Sequence, residues 1–124
     1  MNEDDPDMEA LMLTDDPDFE RIMECVFGLQ PHECRAYLAL IDAPGSTAEE
    51  LAETLDRDRS TVHRTLSRLV ERELVERDRR LIEGGGTVYQ YFARSLEETQ
   101  ERMHASVDEW ASFVHEAIDG FGRR

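Results

Sequence analysis

Lysine is absent from this sequence. All 14 basic residues are arginine, they face 29 acidic residues, and the formal net charge is −15. Such acidity ordinarily argues against a polyanionic partner. Acidity without lysine, at a hydrophobic fraction of 40%, resembles proteins of salt-accumulating halophiles. At about 1 M salt the Debye length is roughly 3 Å, which screens general repulsion but not direct contacts. The position of the positive charge therefore matters more than its sum.

Long apolar runs are also missing. No stretch approaches the roughly 20 apolar residues of a membrane-spanning helix, and no basic segment precedes an apolar one as in a signal peptide. The sequence therefore predicts a cytoplasmic protein with no membrane partner. Its length suits one small domain with a short appendage, and a dimer would bury more apolar surface.

Cysteine is scarce, and patterns of catalytic residues are missing. Cys25 and Cys34 are expected to be free thiols in a reducing compartment. With His32 they lack the paired thiol spacing of a zinc site, so we expect no metal and no cofactor. No nucleophile stands at the spacing of its base, and Gly84–Gly86 lack the lysine of a phosphate loop. We therefore expect a protein that is not an enzyme.

The positive charge is concentrated between residues 57 and 80. This segment holds eight arginines and five acids, a balance of +3, whereas all other residues sum to −18. Residues 56–76 read as one helix with Asp58 as its N-cap. An apolar stripe at helical spacing predicts its buried face: Val62, Leu66, Leu69 and Val70.

The opposite face of this helix carries guanidinium and hydroxyl groups, which hydrogen-bond phosphate oxygens and base edges. It predicts a DNA recognition helix. The expected DNA contacts are Arg57, Arg59, Ser60, Thr61, His63, Arg64, Ser67 and Arg68.

The residues before this helix predict a disordered tail and three helices. Residues 1–17 are acidic and expected to be mostly disordered, although MEALML could form a short helical turn. Residues 18–29 form an amphipathic helix ended by Gly28, and Pro31 opens a second helix that Pro44 and Gly45 close. Ser46 and Glu49 have capping-box spacing and start a short third helix. Together with the recognition helix, this third helix predicts a helix-turn-helix.

A β-hairpin is predicted after the recognition helix. Its two strands flank Gly84–Gly86, and the second contains Val88 and Tyr89. A hairpin at this place is the wing of a winged helix, where Arg77, Arg79 and Arg80 would meet DNA backbone or minor groove. The alternative is a hairpin that only covers the core. The fold class is mainly α with a small β-hairpin (α+β), a winged helix-turn-helix over residues 18–94.

Residues 27 to about 94 resemble the N-terminal domain of TrmB-like archaeal transcription regulators, within the winged-helix group that includes MarR-type proteins. The resemblance rests on Gly28-Leu29, Ala36–Leu40, Glu50–Ala52, Ser60–Val62, Leu66, Leu69, Leu74 and Val75. It implies sequence-specific binding of double-stranded DNA as a dimer, through Ser60, Thr61, Arg64 and Arg68, and with the acidic composition a haloarchaeal source. Relatives that sense sugars carry a long C-terminal domain, which is not expected here, so the effector is unknown. His63 stands where many relatives place tyrosine.

Residues 95–124 are expected to form a C-terminal dimerisation helix. Apolar residues spaced by four and three predict a seam that needs a partner helix, and two recognition helices would then meet a roughly palindromic operator. The expected dimer contacts are Phe19, Met23, Met103, Val107, Trp110, Val114 and Phe121. The alternative is a helix packed back on its own domain.

Two further alternatives concern function. Cys25 and Cys34 are either inert, buried residues or redox sensors whose oxidation resets the recognition helices. The whole module could instead be a winged-helix protein-docking piece of a transcription assembly without sequence-specific DNA binding. A docking surface would expose apolar anchors, whereas the predicted face is hydroxyl and guanidinium.

Overall fold

The computed structural model of the protein describes residues 6–122. The first five residues of the acidic tail and the last two of the C-terminal segment lie outside this range. Within it, six helices and two strands follow one another: α1 Met8–Met12, α2 Phe19–Phe27, α3 Pro31–Asp42, α4 Ala48–Leu55, α5 Arg59–Glu71, β1 Val75–Leu81, β2 Thr87–Ala93 and α6 Leu96–Asp119. They divide into two compact units, Gln30–Leu96 and residues 6–29 with 97–122.

Helix caps in the unit Gln30–Leu96 decide where its helices start. Pro31 opens α3, and Glu33 completes a capping box with Gln30. The box that starts α4 joins Thr47 and Glu50, so the prediction of Ser46 and Glu49 was wrong by one residue. Thr47 wins because it is the residue with extended backbone directly before the first helical turn.

Helix α5 starts at its predicted cap, since the Asp58 carboxylate accepts the Thr61 N–H at 2.7 Å. It ends at Glu71 rather than Glu76, because Glu73 takes a left-handed conformation (φ 59°). Leu74 and Val75 then enter the hairpin as buried residues.

The hairpin is antiparallel, with Val75 opposite Ala93 and Leu81 opposite Thr87. At its tip Gly84–Gly86 have φ values of 90°, 94° and 96°, a region that L-residues rarely occupy. An isolated bridge joins Ser46 to Tyr91, and the Tyr91 N–H donates to the Ser46 carbonyl at 2.9 Å. This bridge ties the hairpin to the start of α4.

The core of this unit lies under α5. The predicted stripe is confirmed, with Val62, Leu66 and Leu69 buried and Val70 half-buried. Leucines of the neighbouring helices, Leu40 and Leu51, are also buried. Tyr37 is fully buried, and its hydroxyl donates to the Arg94 carbonyl at 2.8 Å. A buried tyrosine thus keeps its polar atom satisfied.

The second unit joins α1, α2 and α6. The expected short turn in MEALML is α1, capped by Asp7, whose N–H donates to the Cys25 carbonyl at 2.7 Å. The tail is therefore more ordered from residue 8 onward than its composition indicates. Helix α2 starts at Asp18 and ends at Gly28 (φ 67°), as predicted.

Helix α6 carries its apolar stripe in two different environments. Near its start Thr99 and Met103 are buried, and the Arg102 guanidinium lies 4.9 Å from the centre of the Phe27 ring. Toward its end Phe113 and Ile118 are 74% and 63% exposed. Across the part of the chain that is described, no helix has the length and apolar character needed to cross a membrane.

Candidate nucleic-acid interface

The outer face of α5 is basic and accessible. No acid occurs from Arg59 to Val70 in a chain with 29 acidic residues. The predicted contact residues on this face are exposed, apart from the half-buried Thr61 and Arg68: Arg57, Arg59, Ser60, His63, Arg64 and Ser67. Arg64 Nη2 donates to Thr61 Oγ1 at 3.4 Å. The face therefore offers several donors to a ligand.

Asp58 sits at the N-terminal end of this face. Hydrogen bonds from the Thr61 side chain and then from the Thr61 N–H hold the pKa of Asp58 below its usual value. The carboxylate is therefore ionised at neutral pH and opposes the positive end of the helix dipole. Its role is to fix the first turn of α5, on which Arg59 and Ser60 stand.

Arg68 has a partner inside the protein. Its Nε pairs with Glu33 Oε2, and its Nη2 donates to Glu33 Oε1 at 3.3 Å. The Glu33 side chain is only 1% exposed and that of Arg68 is 29% exposed. Sequence patterns did not reveal this pair, because Glu33 stands 35 residues away and looks like an ordinary first-turn glutamate.

The arginines of the hairpin differ in their surroundings. Arg77 lies with its guanidinium 4.5 Å from the centre of the Tyr89 ring, a stacking geometry that holds its side chain against β2. Arg79 and Arg80 are exposed on opposite faces of β1. Near the tip Leu81 is 80% exposed, so the hairpin presents an apolar side chain beside its arginines.

Two clefts flank α5. One of about 270 Å³ lies between α4, α5 and β2, where Arg59 and His63 face Thr87 and Tyr89. The other, of about 170 Å³, lies between α3 and the start of α5 and includes His32, Arg35 and Arg57. His32 and Arg35 were missed by sequence reasoning, although their i, i+3 spacing on α3 is a signal that they share a face.

The two cysteines are buried free thiols. Burial raises the pKa of the Cys25 thiol above its usual value, against a smaller lowering by Arg21 and further raising by Asp7 and Glu24. Cys34 is completely buried. Among residues 6–122, no group of three histidine, cysteine or acidic side chains is placed to hold a metal ion.

The helix-turn-helix, the hairpin and the basic face of α5 define a winged-helix DNA-binding protein. Residues 23–97 match the family model described as "Sugar-specific transcriptional regulator TrmB". The chain belongs to the TrmB family, and it is a DNA-binding transcription regulator.

The chain is also similar to individual proteins and solved structures. The chain is 34% identical over 101 residues to the uncharacterized protein MJ1503 of Methanocaldococcus jannaschii, covering 82% of this chain and 76% of the relative. It is similar in fold to a possible transcriptional regulator from Methanosarcina mazei (TM-score 0.76, 24% identity, 83% and 88% of the two chains). It is also similar to the MarR family transcription regulator SP03579 (TM-score 0.50, 25% identity, 84% and 66%).

Proposed function

We propose that this protein is a sequence-specific regulator that reads DNA through the outer face of α5. The observation that carries the proposal is the acid-free run from Arg59 to Val70, exposed along one side, in a chain of net charge −15. A random surface of this protein would be acidic. An accessible face of arginine, histidine and serine is instead suited to the acceptors of bases and phosphates in the major groove.

Within this face, we assign base reading to Arg64 and the neighbouring Ser60, His63 and Ser67. Arg68 differs from these residues, because its guanidinium neutralises the buried carboxylate of Glu33. We therefore propose that Arg68 holds α5 in place. In the hairpin, Arg79 and Arg80 are proposed to contact the DNA backbone, which adds affinity without sequence preference.

The test is selection of bound fragments from a pool of random duplexes, followed by affinity measurements on the selected site and on random DNA. We expect Arg64→Gln to weaken binding to the selected site by about 1–3 kcal/mol, roughly 5- to 150-fold, with a smaller loss on random DNA. Arg79→Gln should weaken both to the same degree. Equal losses on both DNAs for Arg64→Gln would refute its reading role.

We also propose a homodimer held by the distal half of α6. Phe113 and Ile118 in α6, and Phe121 just after it, are exposed, whereas Met23 and Met103, which sequence places in the seam, are buried within one chain. The contacts between partners are therefore assigned to the distal stripe with the half-buried Val107, Trp110 and Val114. Residues 95–124 act as the dimerisation segment of a DNA-binding domain over residues 18–94.

Exposed residues permit a clean test of the dimer. Phe113→Glu with Ile118→Glu should give a folded monomer, because two carboxylates at an apolar interface would be desolvated without partners. Ser112→Glu is the control, since it adds a carboxylate at an exposed position of the same helix outside the apolar stripe. The oligomeric state of each variant is measured by light scattering. A double variant that stays dimeric would show that the interface lies elsewhere.

A dimer with a twofold axis presents two α5 helices to successive major grooves, about 34 Å apart. We therefore expect the selected site to be roughly palindromic. A selected sequence without internal symmetry would contradict the dimeric mode while leaving the reading by α5 intact.

A protein-docking role is the second candidate, and Leu81 favours it. An apolar side chain 80% exposed on a hairpin is typical of an anchor that fits a partner's pocket. Selection that yields no common sequence, together with DNA affinity unchanged by Arg64→Gln, would support docking over DNA reading.

The burial of both thiols argues against redox regulation. Oxidants attack the thiolate, and the raised pKa of Cys25 lowers its thiolate fraction at neutral pH. We propose that DNA binding does not respond to thiol oxidation. Operator binding of the wild type should be unchanged by mild peroxide, and a loss that Cys25→Ser or Cys34→Ser abolishes would restore the sensor hypothesis.

A further inference from the structure

A pocket between α3 and the start of α5 collects positive charge from separate parts of the chain. Its volume is about 170 Å³. The rim carries His32 and Arg35 from α3 and Arg57 from the turn before α5, and Thr61 adds a hydroxyl. Leu55, Val62 and Thr65 complete the lining.

Among residues 6–122, no acidic side chain lines this pocket, in a protein with twice as many acids as bases. Within the described residues, neither Arg35 nor Arg57 forms an ion pair with a carboxylate. Three other arginines do have such partners: Arg21 pairs with Glu24, Arg68 with Glu33 and Arg94 with Glu76. The neighbouring Asp58 attracts Arg57, which helps to lower the pKa of Asp58. Two guanidinium groups in one pocket still repel one another, and a bound anion reduces that repulsion.

We infer that this pocket binds a phosphate group. Guanidinium forks match the oxygens of phosphate in a bidentate manner, and the histidine ring can donate to a remaining oxygen. On this measure of volume one water molecule needs roughly 10–15 Å³, so a pocket of about 170 Å³ accommodates a phosphate group with some of its water.

The DNA backbone is the source of phosphate that the geometry favours. Arg57 directly precedes, and Thr61 belongs to, the N-terminal end of the helix whose outer face carries the proposed base-reading residues. A duplex against that face brings its sugar–phosphate backbone to the pocket. This inference rests on the proposed function and adds His32 and Arg35, from a helix outside the helix-turn-helix, to the DNA contacts.

The experiment compares Arg35→Gln with Arg21→Gln, which removes the same charge from the other compact unit. Arg35 is exposed, so the variant should fold as the wild type does. Affinities for the selected site and for random DNA are measured over a series of potassium chloride concentrations. We expect Arg35→Gln to weaken both DNAs alike and to reduce the slope of log K against log salt by about one, whereas Arg21→Gln leaves the slope unchanged.

Two further arms identify the source of the phosphate. Duplexes with one phosphate replaced by an uncharged methylphosphonate should reveal one position per half-site that weakens the wild type but not Arg35→Gln. Without DNA, inorganic phosphate is titrated while the His32 ring is followed by NMR. If Arg35→Gln leaves DNA binding intact but abolishes a phosphate-dependent shift of His32, the pocket serves a free phosphorylated compound.

The inference is overturned if Arg35→Gln behaves like Arg21→Gln on DNA and inorganic phosphate does not shift His32. Specific DNA binding that persists in that case leaves the proposed function standing. Conversely, a wild type that binds no DNA would refute the proposed function, and the phosphate titration would still test the pocket.

Discussion

The ion pair between Glu33 and Arg68 predicts that Arg68 stabilises the position of α5 and does not read DNA. The perturbation is Arg68→Met, which keeps the length and apolar stem of the side chain and removes its charge. Glu33 is 1% exposed, and its Oε1 also accepts the Gln30 N–H at 2.8 Å. The variant leaves a buried carboxylate with one backbone donor and no cation.

Removing one partner of a buried ion pair destabilises a protein by about 3–5 kcal/mol. The Arg68 side chain is 29% exposed, so water can reach part of the pair and the lower end, about 3 kcal/mol, applies. For a protein of this size that is a fall in melting temperature of roughly 12 °C. Glu33→Gln should lose only about 1–2 kcal/mol, because glutamine keeps an oxygen for the Gln30 N–H and Arg68 can be hydrated.

The assay is urea unfolding followed by circular dichroism at one fixed protein concentration, since the stability of the proposed dimer would depend on concentration. The double variant Glu33→Gln with Arg68→Met should be more stable than Arg68→Met alone, because it removes the unpaired charge. The reasoning is refuted if Arg68→Met is as stable as the wild type but loses affinity for the selected site only. Arg68 would then be a base-reading residue.

Three further outcomes are expected. Asp58→Ala should lower the melting temperature at pH 7 more than Asp58→Asn, which keeps an acceptor for Thr61. Because the pKa of Asp58 is lowered by folding, its charge stabilises the fold above a pH of about 4. That contribution disappears as the pH falls through the lowered pKa. The melting temperatures of the wild type and of Asp58→Asn should therefore converge at low pH. Gly45→Ala should destabilise the fold by about 1–2 kcal/mol in urea unfolding, since Gly45 has φ +85° and an added Cβ would lie 3.4 Å from the Phe92 ring. Gly84→Ala is the control and should lose less stability, because Gly84 has φ +90° and, among the described residues, no atom within 4 Å of an added Cβ. Equal losses in the two variants would show that the contact with the Phe92 ring is unimportant. Raising potassium chloride from about 0.1 to 2 M should raise the melting temperature by screening the net charge of −15, and a flat or falling melting temperature would contradict this.

Local chemistry was sufficient to predict most of the fold. Asp58, Gly28 and Pro31 each mark a helix end through a property of one residue, a carboxylate acceptor, a left-handed φ or a missing N–H. The hairpin follows likewise from Gly84–Gly86 between apolar segments. Such signals are read within a few residues, so they survive without knowledge of tertiary contacts.

Contacts between distant residues could not be predicted in the same way. Helical spacing alone places Arg68 on the polar face with Arg64. Only the fold shows that Arg68 forms an ion pair with Glu33. Spacing likewise gives α6 a continuous stripe, but Met103 is buried within the chain whereas Phe113 is exposed. The basic pocket could not be predicted from the sequence, because His32 and Arg57 come together only after α3 and α5 have packed.

The two compact units also differ in when their residues become available during synthesis on the ribosome. Gln30–Leu96 is one continuous stretch, so its helices and hairpin can fold while the residues after it are still being synthesised. The other unit joins residues from both ends of the chain, and α2 has to wait until α6 has emerged. During that interval the apolar face of α2, with Met23 and Val26, has no completed core to enter. On the proposed function, a nascent chain therefore has its α5 face folded before the proposed dimerisation segment is complete.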